Sequence, residues 1–330
     1  MAGAIVKREI VVPNAPALAL AKGFGGYRPE AEKPVRTMRV VKDASIQKLE
    51  KAYREIDRFE SQPNLDYITN PEGFYEKLCE SLLPHDLPNS ASDIERFSVH
   101  LGSLQSERYF FEKTGFFLSF LMECSADRKF MIHTSHLEQR FSYLGFKNSK
   151  RIIVNGYGGE SLGAYMKDGS ITVDGDTAGD VGHCMKGGAI IISGDAHGSV
   201  GSGMTGGRIV IGGDAGNRIG SSMKHGRIFI KGNCGKAGAR MTGGAICIGG
   251  DADGMIGDGM KGGIIKVAGN SGYGVGYSMR GGRIDGAGNV GDKLGYEMRG
   301  GEIHVEGDIG NLGWTCHRKI YHKGVRITDK

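Results

Sequence analysis

Four sets of residues in this chain have types and spacings that could do chemistry. The stretch GDAHGSVGSGMTGG (194–207) has the glycine density of a loop that cradles phosphate with its backbone amides. His183–Cys184 and Cys316–His317 are adjacent pairs of metal-ligand types, and His133 and His136 form H-x-x-H. Asp176, Asp195, Asp214, Asp251 and Asp308, with Asn233, Asn270 and Asn289, form a series of oxygen donors of the kind calcium uses. Lys167, Lys186, Lys224, Lys261, Arg280 and Arg299 form a series of cations.

Nearly all of these residues sit on one repeat. Met166, Met185, Met204 and Met223 are 19 residues apart, Met241 follows after 18, and Met260, Met279 and Met298 resume the spacing of 19. The unit reads M-x-G-G-x-I-x-I-x-G-D-A-x-G-x-x-G-x-x. Its piece G-x-I-x-I-x-G is a short strand of period two, and the G-[DN] step after it is a turn. A second apolar position follows, at Val181, Val200, Ile219, Ile256, Val275 and Leu294. A unit of 19 residues is too short for a β-α-β crossover and suits one coil of a parallel β-helix. The fold class expected is therefore an all-β right-handed parallel β-helix of about 8–9 coils of 19 residues over 151–313. The short unit, at NCGKAGAR, implies one trimmed corner.

The repeat decides how the candidate residues are read. A phosphate cradle needs one glycine loop between a strand and a long helix, whereas this loop recurs with no helical pattern after it, and no G-x-x-x-x-G-K-[ST] is present. The glycines are read as corners. The positions level with His183 carry Ser202, Asp258 or Tyr277, and those level with Cys184 carry Gly203, Arg240 or Glu297, so no ligand repeats. His133 and His136 lack a partner cluster. Mixed Asp and Asn suit turn capping, and calcium-binding nonapeptide repeats have a shorter period. The cation series leaves two readings open: an ordinary solvated face, or a docking face for an acidic partner. No Ser–His–Asp, Cys–His or paired-carboxylate arrangement stands out. No catalytic, cofactor-binding or metal-ligating residue is therefore assigned, and no cofactor.

Composition divides the chain at about residue 150. Only 8 of the 57 glycines precede it. Residues 1–40 are expected to form an extended N-terminal arm, and 41–150 a helical or α+β capping domain on the end of the rod. SIQKLEKAYREIDRFE (45–60) places Ile46, Leu49, Tyr53, Ile56 and Phe59 on one helical face, and Pro63 stops it. A second helix is expected over 71–82 and a third over 105–113, with 116–135 as two strands or a strand and a helix end. Residues 314–330, with Trp314 and a basic tail, are expected to cap the other end. The net charge of +5 and pI near 8.8 are only mildly basic, and no aromatic-studded basic patch points to nucleic acid. No signal peptide is read, FFLSFLM (116–122) is too short to cross a membrane, and six unclustered cysteines suit a reducing compartment. A cytoplasmic protein without nucleic-acid or membrane partners is expected.

The repeats GDTAGDVGHCMKGGAIIISG, GDAHGSVGSGMTGGRIVIGG and GDADGMIGDGMKGGIIKVAG resemble the GXGXG β-helix domain. That domain ends the glutamate synthase large subunit, and a relative forms the C-type subunit of formylmethanofuran dehydrogenase and of the formyltransferase/hydrolase complex. The opening NGYGGESLGAYMKDGSITVDGD (155–176) is similar to the entry of the glutamate synthase domain. The resemblance implies a scaffold with no catalytic residue of its own, packed against amidotransferase, flavin, iron–sulfur or hydrolase modules. No cysteine follows Met1 and the cysteines form no iron–sulfur cluster, so neither the glutaminase nucleophile nor a redox centre is expected. Three functions remain: a scaffold subunit of a glutamate synthase-like complex, a C-type subunit of a formyl-transferring complex, and a stand-alone enzyme or ligand binder with its site at the domain junction.

Overall fold

The structure, a computed structural model, describes residues 43–56, 69–314 and 319–327. The expected arm over 1–40, Phe59, Pro63 and the Cys316–His317 pair lie outside the described residues. Among the described residues, four α-helices precede the rod: α1 (Ala44–Glu55), α2 (Pro71–Leu82), α3 (Ala91–His100) and α4 (Phe110–Cys124). The first three begin where a side chain satisfies an orphan amide. Asp43 accepts from the Ile46 N–H at 3.1 Å, Asn70 from Gly73 at 3.0 Å and Ser90 from Asp93 at 3.1 Å.

Helices α1 and α2 lie where the periodicity places them. Helix α3 has no counterpart among the expected elements, and the third expected helix begins at Phe110 rather than at 105. Of the two forms expected for 116–135, the structure takes the helix end with a strand: FFLSFLM lies in α4, and a strand follows at Lys129–His133. The run FFLSFLM is buried along its whole length, and a helix apolar all round carries no face-to-face periodicity to distinguish it from a buried strand.

The strands stack as the 19-residue unit requires. They are β1 (Lys129–His133), β2 (Arg151–Asn155), β3 (Ser170–Asp174), β4 (Ala189–Ile192), β5 (Arg208–Ile211), β6 (Arg227–Ile230), β7 (Ala245–Ile248), β8 (Ala252–Gly254), β9 (Ile264–Val267), β10 (Ser271–Tyr273), β11 (Arg280–Gly286), β12 (Gly300–Val305), β13 (Lys319–His322) and β14 (Val325–Ile327). One long sheet runs β1 to β7, then β9, β11, β12, β13 and β14; β8 and β10 pair on a second face. All pairs are parallel except β13 with β14. Eleven parallel strands in the long sheet make ten steps of about 4.8 Å, a rod of roughly 48 Å. This exceeds the 8–9 coils read from the methionines, because β1 and β13 extend the stack beyond the first and last repeat.

The core is a set of ladders. Phe130 is followed in register by Ile152, Ile171, Ile190, Ile209, Ile228, Ile246, Ile265, Ile284, Ile303 and Ile320, each at most 2% exposed. Branched side chains of one type, stacked one strand apart, pack closely along the rod. The methionine column fills the next gap. A Cβ on Gly207 (φ 85°) would lie 2.7 Å from Met185 Cε, so each thioether tip occupies the room that glycine leaves in the following coil. Gly286 breaks the second ladder, and its space is met by Val290, larger than the alanines, threonine, serine and cysteine elsewhere in its column. The 18-residue unit loses its residue at a corner. Gly235 stacks on Gly216 and Ala237 on Ile219, so Lys236 alone spans the place of Asn217 and Arg218 while the strands keep register.

Both ends of the stack are closed. At one end, α3 lies on β1, and the His133 N–H donates to Ser98 Oγ at 3.0 Å. Helix α4 sits on the first coil so closely that a Cβ on Gly115 would fall 1.9 Å from the Ser142 carbonyl oxygen. One turn on, Ser119 Oγ donates to the Gly115 carbonyl at 2.6 Å and accepts from the Gly145 and Phe146 amides at 2.9 and 3.1 Å. At the other end the chain reverses at Lys323–Gly324 into antiparallel β14, a short, cation-bearing edge poorly suited to pairing with another sheet. Gly115→Ala is expected to destabilise the protein by about 3 kcal/mol through overpacking at this contact. Urea denaturation measures it, and unchanged stability would show that α4 does not dock on the rod at Gly115.

Candidate functional site

The aspartate and asparagine series forms a structural ladder. The Asp195 N–H donates to Asp176 Oδ1 at 2.8 Å, and the same bond repeats through Asp214, Asn233, Asp251, Asn270 and Asn289 to Asp308 at 2.6–3.0 Å. Each side chain caps the amide one coil further on, and Asn serves as well as Asp because only one oxygen is needed. The preceding glycines follow from this. A Cβ on Gly213 would stand 1.9 Å from Asp195 Oδ1. Glycine is present there for room, not for an unusual backbone angle. Among the described residues no group of three His, Cys, Asp or Glu side chains converges to hold a metal.

The glycine stretch 194–207 likewise has its amides engaged. Gly201 N–H donates to Val181 O at 2.8 Å and Gly203 N–H to Ser221 O at 2.8 Å, so these donors do not turn toward a phosphate. His183 and Cys184 touch each other at 3.4 Å. Burial pushes the Cys184 thiol up, with the Glu72 charge adding to it, so it stays protonated rather than becoming a nucleophilic thiolate. His133 Nε2 lies 3.2 Å from Glu95 Oε1. Burial, with His133 beside it, lowers the His136 pKa against the opposing effect of the Val99 backbone.

The cations behave differently. Lys167, Lys186, Lys224, Lys261, Arg280 and Arg299 are all exposed and none has an ion-pair partner among the described residues. Stacking places them along one corner of the rod. The strand that follows in each coil presents a second feature. Met131, Ile153, Thr172, Ile191, Val210, Phe229 and Cys247 pair in register on the outward side of the sheet. From Lys266 the same row turns polar, through Asp285 and His304. Arg208 lies over the Phe229 ring at 5.1 Å, edging the apolar row with charge. The sequence carries this signal at the strand position between the two core isoleucines, where apolar residues occupy sites that period two sends outward.

A third feature lies where the helices meet the rod. A cleft of about 490 Å³ is lined by Thr69, Pro71 and Phe111 from the helical side and by Tyr143, Glu160, Ser161, Tyr165, Asp180 and His183 from successive coils. Its rings are held from behind. Tyr143 stacks on Phe116 at 4.3 Å between centroids, and Tyr165 packs against Phe146 at 5.4 Å and His183 at 5.7 Å. Glu160 is 3.8 Å from Arg140, which is 65% exposed, and Asp180 has no ion-pair partner among the described residues. His183 Nδ1 is buried with no hydrogen-bond partner among the described residues. The sequence marks His183 as a ligand type but has no means of bringing Tyr143 and Asp180 beside it.

Residues 125–275 match the family model of the GXGXG motif, so the chain carries that domain and the resemblance read from its repeats holds. Among solved structures, a chain of the formyltransferase/hydrolase complex from Methylorubrum extorquens, in complex with methylofuran, is similar at 29% identity with a TM-score of 0.37. The match covers 53% of this chain and 60% of that one, less than two thirds of its length. No curated protein matches the chain. No described helix is long and apolar enough to cross a membrane.

The ladder makes a testable pair. Asp195→Ala is expected to cost about 1 kcal/mol by orphaning the Asp214 amide, and Gly213→Ala a similar amount by steric conflict. The double variant should lose less than the sum, because removing Asp195 clears the space that the new methyl needs. Additive losses in a urea-denaturation cycle would break the steric link between the two positions.

Proposed function

We propose that this chain is a scaffold subunit of a multiprotein enzyme complex, a rod on which catalytic partners dock. The observation that carries the reading is the register of its outer surface. Six cations, unpaired among the described residues, stand along one corner, and beside the first three, Lys167, Lys186 and Lys224, runs a mainly apolar row seven strands long, broken by Thr172. A contiguous apolar patch bordered by one sign of charge is what a specific protein interface requires. Its backbone is already fixed by coil-to-coil hydrogen bonds, so a partner would meet a surface with little ordering entropy left to lose. Cations along the border would speed encounter with an acidic surface and set its register.

The partner is thus a protein with an acidic, partly apolar face. The GXGXG domain supports a glutamate synthase-like assembly, with amidotransferase-like and flavin or iron–sulfur subunits. A C-type role beside formyl-transferring subunits is the alternative within the same domain family.

The test is capture of the tagged full chain from its own cells at low salt, followed by cross-linking and mass spectrometry. Cross-links are expected from Lys186, Lys224 and Lys261 to acidic segments of enzyme subunits, whose identity chooses between the two assemblies. Lys186→Glu, Lys224→Glu and Lys261→Glu combined should weaken retention at least tenfold while leaving the melting temperature unchanged, since all three are exposed. A chain that isolates alone, or a triple variant that retains its partners, would overturn the docking face.

A further inference from the structure

The cleft between the helices and the rod has a chemistry of its own, independent of the docking face. We propose that it binds an organic cation, an amine or guanidinium on a small apolar body, between the rings of Phe111, Tyr143 and Tyr165 and the carboxylates of Glu160 and Asp180. Three observations converge on this class of ligand.

The first is volume. About 490 Å³ accommodates a small molecule or one long side chain. The second is the wall. Tyr143 and Tyr165 are fixed by the ring contacts behind them, and both sit at coil corners whose left-handed backbone recurs along the rod. Rings locked in place present π faces at little entropic cost, and such faces attract cations.

The third is charge. The chain as a whole is positive at +5, yet among the described residues no lysine or arginine lines the cleft. The nearby Lys147 is already engaged by Glu72 and Glu76, at 3.2 Å each. Arg140, 65% exposed, approaches Glu160 and the Tyr157 ring at the rim. Asp180 is left as an unpaired acceptor among the described residues. An anion would meet Glu160 and Asp180 with no lysine or arginine among the described lining residues to offset them, and a neutral body would leave Asp180 unanswered.

Isothermal titration of the full chain with phenylguanidine, benzamide and benzoate tests the proposal, since the three share a ring and differ in charge. Phenylguanidine should bind at least tenfold more tightly than benzamide, and benzoate more weakly still. Asp180→Asn and Glu160→Gln should each reduce phenylguanidine affinity at least fivefold, with melting temperatures matching the parent chain. Agmatine and the blocked peptide acetyl-Gly-Arg-Gly-amide then separate the sources. Tighter agmatine binding marks a free metabolite, and tighter peptide binding marks an arginine presented by a protein. Equal binding of benzamide or benzoate, no binding of any cation, or affinity indifferent to both substitutions would overturn the site. None of these outcomes depends on whether the rod's outer face docks partners.

Discussion

Every feature of this protein depends on the coil-to-coil register of the rod. Each strand bonds to the strand one turn away, so a residue added within the sheet would turn the isoleucines outward and the polar row inward. The chain tolerates one deletion, and it falls at the corner occupied by Lys236, where the backbone can shorten without moving Ile228 against Ile246. Register also converts sequence columns into physical lines. The isoleucine column becomes a dry core, the Asp and Asn column a hydrogen-bonded ladder, and the lysine and arginine column a charged edge.

The same stacking explains the glycines. At Gly213 the constraint is the Asp195 carboxylate, and at Gly207 it is the tip of Met185. A coil every 4.8 Å or so leaves no space for a Cβ at positions that face the turn above or below. Gly115 extends this logic beyond the rod, because α4 can seat on the first coil only where it lacks a side chain. Interior strands are paired on both edges, so the ends are the vulnerable places. The chain protects one with α3 and the other with the reversed strand β14.

The proposed docking face and the proposed cation cleft arise from different parts of this architecture. The docking face is a property of repetition: the same kind of residue at the same position in successive coils makes a long, rigid, uniform patch. The cleft is a property of interruption. It forms where the first coils meet the helices, and it draws on positions the repeat leaves free, with Tyr143, Ser161 and Asp180 in one variable column. The rod can therefore serve as an inert spacer along most of its length and carry selectivity at one end.

The sequence by itself determined the rod. Methionine spacing, the paired branched residues and the G-[DN] step specify strand, corner and turn, and strict periodicity leaves few other ways to bury those columns. It also identified the Asp and Asn series as turn residues and the cation series as one face, since a column in a repeat is a column in space. The helical region is legible only in part: amphipathic α1 and α2 announce themselves, whereas α3 gives no clear signal and α4 reads equally as strand or helix end because burial on all sides erases periodicity. What only the tertiary structure decided is the cleft. Coil stacking sets Tyr143, Glu160, Asp180 and His183 on one side, and the docking of a non-repeating helix brings Phe111 against them. That contact is fixed by shape, a missing side chain at Gly115 and the two amide hydrogen bonds to Ser119, and steric fit of this kind leaves no period in the sequence to read.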